Sequence, residues 1–175
     1  MDTNFTSSYN YNMNKKIIKF PSPMLKKKAK VVKRLTPEIV RLIDEMIKIM
    51  LAAPGIGLAA PQIGVLLRVI VADTGEGRWA IINPKLTEKH GAQTFVEGCL
   101  SLPGIEAPVD RASQVIVSGM DRRGEKIKIE AKGLLATVFQ HEIDHLDGKV
   151  FIDRVKDPSL IKYVAFEREK REELI

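Results

Sequence analysis

The pentapeptide His141-Glu142-Ile143-Asp144-His145 constrains this chain more than any other feature of its sequence. It lies in a stretch predicted to be helical, Leu134 to Leu146, which Gly148 ends. Residues i and i+4 of a helix share a face, so both imidazoles can bind one metal ion. Glu142 follows the first histidine and is close enough to reach a metal-bound water. The chain is therefore expected to carry a metal site on a helix.

Two further helices are predicted. The earlier one has Thr36 as its N-cap and Pro37 in the first turn, where proline is tolerated, and Pro54-Gly55 ends it. The pair Asp157-Pro158 predicts the later helix, which is wholly charged from Glu167 to Glu173. Its apolar residues are Leu160, Ile161 and Val164.

Strands are predicted between the first two helices, from runs of β-branched residues and from an alternating segment that follows the turn Asp121–Glu125 and suggests a hairpin. Because strands and helices are clustered and do not alternate, the pattern favours an α+β fold over a doubly wound sheet. We expect short antiparallel or mixed sheets packed around the central HExxH helix, with a C-terminal helix. The strand runs are Leu66–Ala72, Trp79–Ile82 and Gln114–Ser118, and the alternation covers Lys126–Ile129.

A chain of 175 residues is long enough for one compact domain. Residues 1–14 lack apolar periodicity and are expected to be a disordered leader, which leaves residues 15–175 as a single catalytic metallohydrolase domain. The leader has no Arg and carries Asp2, which argues against import into an organelle. Cys99 is the single cysteine, and no apolar stretch approaches the roughly 20 residues of a membrane span. A cytoplasmic protein of bacterial type, without membrane contact, is expected.

The net charge of +6 is concentrated near the N-terminus. Residues 1–35 hold nine Lys or Arg residues and one acidic residue. The other 140 residues hold 19 Lys or Arg residues and 21 acidic residues. A basic segment can guide a protein to RNA or to a ribosome, although solvated lysines are the commoner explanation. A transient ribosome contact stays open, DNA binding is not expected, and a non-enzymatic ribosome- or RNA-associated module is one alternative function.

Two histidines leave a tetrahedral catalytic ion one protein ligand short, because the last position is kept for water. His90 stands in a predicted turn and is expected at the surface. Glu167 lies 22 residues after His145 and could act like the downstream glutamate of a zinc protease. Cys99, with small and apolar neighbours, is the other candidate, since a cysteine beside an HExxH helix favours ligation over inert burial.

Three segments together resemble the signature motifs of the peptide deformylase family. They are GIGLAAPQIG (55–64), EGCLSLP (97–103) and QHEIDHLDG (140–148), in the family's order and spacing. The first would by itself be an ordinary glycine-rich connector, but the combination is highly specific, and the likeness runs from about Lys15 to Val155. The resemblance implies an enzyme that removes the formyl group from N-formylmethionine of new polypeptides and releases formate.

The resemblance also implies the roles of the site residues. Glu142 would be the general acid/base while metal-bound hydroxide attacks the formyl carbon. Gln62 and the backbone N–H of Leu100 would stabilise the oxyanion. One divalent ion, Fe(II) or Zn(II), would be held by Cys99, His141 and His145.

The methionine pocket is expected on the metal-facing side of the HExxH helix. Leu134, Thr137 and Val138 precede His141 at i−7, i−4 and i−3 and therefore lie on its face. A linear apolar side chain should be preferred there. The other residues expected to bind substrate are Gly55, Ile56, Gly57, Phe95 and Glu97.

This chain departs from the family pattern after the second motif. Ile105-Glu106-Ala107 stands where many members have a basic or aromatic residue, which leaves contacts beyond the first side chain of the peptide open. Thr137 is polar where members are often apolar. Asp144 could orient His145 or pair with Arg111, the family's usual arginine. The alternative enzyme is an HExxH metalloprotease with Glu167 as third ligand.

Overall fold

The computed structural model describes residues 15–164 and has an α+β fold. The helices within this range are α1 (Pro37–Ala52) and α2 (Gly133–Leu146). The strands are β1 (Gly57–Ala59), β2 (Val69–Asp73), β3 (Arg78–His90), β4 (Gln93–Cys99), β5 (Leu102–Arg111), β6 (Gln114–Met120), β7 (Lys126–Lys132) and β8 (Lys162–Tyr163). Short 3-10 turns lie at Pro23–Lys26, Ala60–Ile63, Phe151–Arg154 and Pro158–Leu160.

The strands form two antiparallel sheets within the described residues. The larger sheet has the order β1-β2-β3-β6-β7, and the smaller has the order β4-β5-β8. The predicted hairpin is confirmed, because β6 and β7 pair from Gln114↔Lys132 to Met120↔Lys126. An isolated parallel bridge joins Lys30 to Leu67 outside the sheets.

Strands β1 and β2 of the larger sheet are buried on both faces, since each helix covers one of them. Along β2, Val69 and Val71 pack with the apolar residues of α1, whereas Ile70 and Ala72 pack with those of α2. Successive strand residues point to opposite faces, so a continuous apolar run suits a strand in this position. Residues of α1 in that core are Ile39, Leu42, Ile43, Met46 and Met50, and those of α2 are Ala136, Val138, Phe139, Ile143 and Leu146.

Both helices that were predicted with clear end signals are present. Helix α1 has Thr36 at its N-cap in extended conformation, although the Thr36 side chain makes no capping hydrogen bond. Helix α2 is followed by Gly148 with a φ of +73°, and its N–H donates to the His145 carbonyl. A Cβ at Gly148 would stand 2.5 Å from the Lys26 carbonyl oxygen. Glycine therefore both ends α2 and lets the N-terminal segment pass close by.

The predicted helix after Asp157 is wrong for the residues that the structure describes. The Asp157 side chain accepts from the Ser159 N–H, as an N-cap would, but the turn it caps is a 3-10 turn that ends at Leu160. The chain then pairs with β5 as strand β8, and the Val164 N–H donates to the Gly104 carbonyl. Pairing with a distant strand therefore overrides the local helix signal. Residues 165–175, which include Glu167, and residues 1–14 lie outside the described part.

Strands β4 and β5 were not predicted, although they form most of the smaller sheet. This sheet packs on Phe151 and Leu25 through buried residues of β5, including Leu102 and Val109. Neither α1 nor α2, the helices of residues 15–164, has the length and hydropathy needed to cross a membrane.

Candidate metal centre and active site

Cys99, His141 and His145 lie together where the end of β4 meets α2. One ligand atom of each residue lies within 4.8 Å of the other two, and Cys99 Sγ is 3.3 Å from His145 Nε2. Zn–S and Zn–N bonds are about 2.3 and about 2.1 Å long, so two ligands of one tetrahedral ion lie about 3.6 Å apart. The three side chains can therefore surround a single ion.

The orientation of His141 is set by a buried carboxylate. Its Nδ1 lies 2.8 Å from Glu97 Oε2, and its ring stacks on Phe151 with centroids 6.1 Å apart and an interplanar angle of 20°. A carboxylate on Nδ1 fixes the tautomer that protonates this nitrogen. Nε2 of His141 is then the nitrogen available to a metal ion.

Glu97 belongs to a buried chain of charged groups that begins at the surface. Arg111 donates to both carboxylate oxygens of Glu97 and, from Nη1, to Asp144 at 2.9 Å. Arg154 donates to Asp144 from Nε at 3.1 Å and from Nη2. Burial alone would raise the pKa of each carboxylate. Hydrogen bonds from His141 and Arg111 nevertheless lower the pKa of Glu97, and hydrogen bonds from Arg154 and Arg111 lower the pKa of Asp144. Both carboxylates are therefore held ionised behind the candidate metal ligands.

Gln62 and the segment after Cys99 form the other side of the centre. Gln62 Nε2 donates to Ser101 Oγ at 3.2 Å and lies 3.5 Å from Cys99 Sγ, while its Oε1 accepts from the Ala59 N–H at 2.7 Å. The Ser101 N–H points at Cys99 Sγ from 3.4 Å. These bonds fix which end of the Gln62 amide faces the centre, so its NH2 group is a donor directed there.

Glu142 lies in the wall of the centre with a largely desolvated carboxylate. Burial raises its pKa to about 7, and the neighbouring Glu97 and Asp144 charges add to the rise. Its Oε2 is buried and has no hydrogen-bond partner among residues 15–164. A carboxyl group with a pKa near neutrality and an oxygen free to bind suits proton transfer in both directions.

The two histidines differ in electrostatic environment. Burial opposes a charge on His141, but hydrogen bonds to Cys99 and Glu97 raise its pKa well above the usual value. Burial lowers the pKa of His145 well below the usual value, and the neighbouring His141 lowers it further. The two imidazoles of the candidate cluster therefore have unequal electrostatic surroundings.

A cleft with a volume of about 1190 Å³ opens over the centre. Its lining includes Cys99, His141 and Glu142, together with Gln62 and Leu100. All the residues predicted to bind substrate line it as well, and they are Gly55, Ile56, Gly57, Phe95, Glu97, Leu134, Thr137 and Val138. Of these, Glu97 uses both carboxylate oxygens to accept hydrogen bonds from Arg111 and His141. Its carboxylate is therefore bound to other protein groups and not directed at a substrate.

Some contacts of the site were not indicated by the sequence. Thr137, the polar departure in the pocket, accepts a hydrogen bond from Gln93 Nε2 at 2.9 Å, and the same nitrogen donates to the Gly133 carbonyl at 2.7 Å. Asp144 forms an ion pair with Arg111, which was one of its two predicted roles. It also forms an ion pair with Arg154, which the sequence did not predict. His90 is exposed at the end of β3 and stays away from the centre.

Cys99 at the end of β4 and the two histidines of an HExxH helix, covered by a cleft, form a candidate metal site of the metallohydrolase type within an α+β fold. The family model described as polypeptide deformylase matches residues 14–160. The chain belongs to this family.

Individual relatives support the assignment. A peptide deformylase of Thermodesulfovibrio yellowstonii is 49% identical over 144 residues, which cover 79% of this chain and 87% of that protein. One of Pelotomaculum thermopropionicum is 54% identical, but the alignment covers 51% of this chain and 58% of the relative, little more than half of its length. The crystal structure of a peptide deformylase from Legionella pneumophila has 43% sequence identity, a TM-score of 0.79 and coverage of 83% of this chain and 87% of that one.

Proposed function

We propose that this chain is a metal-dependent hydrolase that removes the formyl group from N-formylmethionine of newly made polypeptides and releases formate. The observation that carries the proposal is that Glu142 lines the same cleft as Cys99 and His141 and has a buried carboxylate oxygen without a partner among residues 15–164. Membership of the polypeptide deformylase family supports the choice of substrate.

The residues present fit one divalent ion. A thiolate and two imidazoles suit Zn(II) or Fe(II), and Glu142, whose buried Oε2 has no partner among residues 15–164, lines the same cleft. Cys99, His141 and His145 would hold the ion, leaving one position of a tetrahedral site for water. When bound, the ion supplies Lewis acidity, which lowers the pKa of such a water to about 7.

Glu142 moves the proton. As the attacking water forms its bond to the formyl carbon, Glu142 accepts the proton that this water loses. The carboxylic acid then gives the proton to the departing amine as the C–N bond breaks. A pKa of about 7 lets the group accept and donate at neutral pH with little driving force lost in either direction.

Two donors stabilise the negative charge that develops on the formyl oxygen. Gln62 Nε2 is held toward the centre by its partners Ala59 and Ser101, and the backbone N–H of Leu100 follows the ligand Cys99 directly. Fixed donors of this kind need no reorganisation during the reaction, and each is worth about 3 kcal/mol of the barrier.

The methionine side chain occupies the apolar wall of the cleft. Val138 is buried, Leu134 and Ile56 are exposed, and all three line the cleft. Filling this wall with an unbranched side chain gains about 0.8 kcal/mol for each buried methylene. The pocket therefore favours methionine and norleucine over charged or short residues.

We further propose that residues from 15 onward act as one catalytic domain in the cytoplasm of a bacterial-type cell, with α2 as its central element. Support for the central position of α2 comes from its burial, since every residue from Ala136 to Leu146 is buried. Lys27, Lys28 and Lys30 are exposed and could make a transient contact with the ribosome.

The deciding experiment measures formate release from a formyl-Met-Ala-Ser peptide by anaerobically prepared protein, together with the metal content. We expect about one Fe or Zn per chain and turnover that a chelator abolishes and the metal restores. Metal-loaded protein that releases no formate would refute the activity. Retention of metal by Cys99→Ala and its loss in Glu167→Ala would instead favour the protease alternative.

A further inference from the structure

One charged residue of the cleft has no part in the proposed chemistry. Glu106 lies on β5 and lines the cleft, at the position where this chain departs from the family pattern. A Cβ built on Gly98 would stand 3.8 Å from Glu106 Cγ, and Gly98 directly precedes the ligand Cys99. The Glu106 side chain therefore lies over the strand that carries the metal ligand.

Two other charged side chains that line the cleft have hydrogen-bond partners. Lys19 Nζ donates to the Leu100 carbonyl at 2.6 Å, and Arg111 neutralises Glu97. Glu106 has no ion pair within 4.0 Å among residues 15–164. Lys162 stands opposite it in the β5–β8 register but does not reach the carboxylate. Within residues 15–164, Glu106 thus has a negative charge without an ion pair and lines the cleft.

We propose that Glu106 selects polypeptides with Lys or Arg at the second or third residue, an inference that rests on the proposed function. An extended chain advances about 3.3 Å per residue, so with methionine in its pocket the next two side chains lie within reach of the outer cleft. A basic side chain there gains an ion pair with Glu106, and an acidic one meets a like charge. For a partly exposed pair the effect on kcat/KM is about 2- to 5-fold.

The test compares kcat/KM for two series of peptides, formyl-Met-Xaa-Ala-Ser and formyl-Met-Ala-Xaa-Ser, with Xaa as Lys, Gln or Glu, on the metal-loaded chain. In at least one series we expect Lys to exceed Gln and Gln to exceed Glu, each by about 2- to 5-fold. Glu106→Gln should bring the Lys-to-Glu ratio close to one, and Glu106→Arg should invert it. Glu76→Gln, an exposed residue remote in sequence, is the charge-matched control and should keep the wild-type ratio.

High salt should reduce the wild-type ratio, because it screens exposed charges. Lys162→Gln should keep or enlarge the ratio, since it removes a competing cation. A wild-type ratio near one in both series, or an unchanged ratio in Glu106→Gln, would overturn the inference while leaving the proposed function intact. Absence of formate from every peptide, the neutral one included, would overturn the proposed function and this inference with it.

Discussion

Gly57 and Glu142 lie so close together that no side chain fits between them. A Cβ at Gly57 would overlap Oε1 of Glu142 and would stand 2.9 Å from Cγ1 of Val138. Gly57 begins β1, which pairs with β2 and cannot move away without breaking the edge of the larger sheet. The absence of a side chain at Gly57 therefore gives the Glu142 carboxylate its position.

The first prediction concerns this contact. Gly57→Ala should displace the Glu142 carboxylate and lower kcat by about 10-fold or more, because a misplaced proton-transfer group is costly. Metal content, measured by elemental analysis, should stay near the wild-type value because the ligands are untouched. Gly98→Ala is the matched control, since a Cβ there meets nothing closer than 3.8 Å. Equal turnover of both variants would contradict the explanation.

Glu142→Gln keeps the size of the side chain but cannot accept a proton. Turnover should fall by about 100-fold or more, while the bound metal is retained, because the general acid/base is removed and the ligands are not. Steady-state formate release and metal analysis of the same sample give both values. Near-normal turnover in a fully metallated variant would exclude Glu142 as the proton carrier.

Whether Cys99 is a metal-bound thiolate can be measured with a thiol-alkylating reagent. As a metal ligand it should be a thiolate that is protected from alkylation, and removal of the ion by a chelator should expose it. Mass spectrometry of the single cysteine follows the rate directly. Equal rates before and after chelation would show that Cys99 does not bind the metal.

Glu97→Gln should weaken metal binding by about 10- to 100-fold, because the carboxylate that orients His141 is lost. The same change leaves Arg111 with one carboxylate partner, Asp144, so the free energy of unfolding should also fall, by about 3 kcal/mol. Metal competition titrations and urea unfolding measure the two effects. Wild-type affinity in the folded variant would assign Glu97 a purely structural role.

The methionine pocket is tested by changing its wall. Norleucine should almost replace methionine in formyl peptides, since both are unbranched and apolar. Val138→Phe should raise KM for formyl-Met peptides far more than for formyl-Ala peptides, because Val138 is a buried residue of the cleft. A uniform loss with both peptides would mean that Val138 supports α2 without touching the substrate.

Local signals were enough for α1, α2 and the hairpin of β6 and β7, because their caps and apolar spacing lie within the elements themselves. Strands β4 and β5 carry no such pattern. Thr94, Phe95 and Val96 are all exposed on β4, and Pro103 and Pro108 interrupt β5, so their pairing depends on contacts with each other.

The same distinction applies to the site. The histidines of the HExxH segment are neighbours on one helix and could be paired from their spacing. Glu97 is 44 positions from His141, and the orienting role of its carboxylate follows from the approach of β4 to α2. The sequence does not predict the ion pair between Arg154 and Asp144, because several other Asp and Glu residues were equally possible partners for Arg154.

The distance along the chain between Cys99 and His145 has a consequence for biogenesis. These candidate ligands are 46 positions apart, and the second comes from α2, the second of the two α-helices within residues 15–164. A growing chain that has not yet passed His145 cannot assemble the cluster, whatever metal surrounds it. The cluster therefore forms only after His145 has been synthesised, and metal bound at the proposed site would report that β4 has docked against α2.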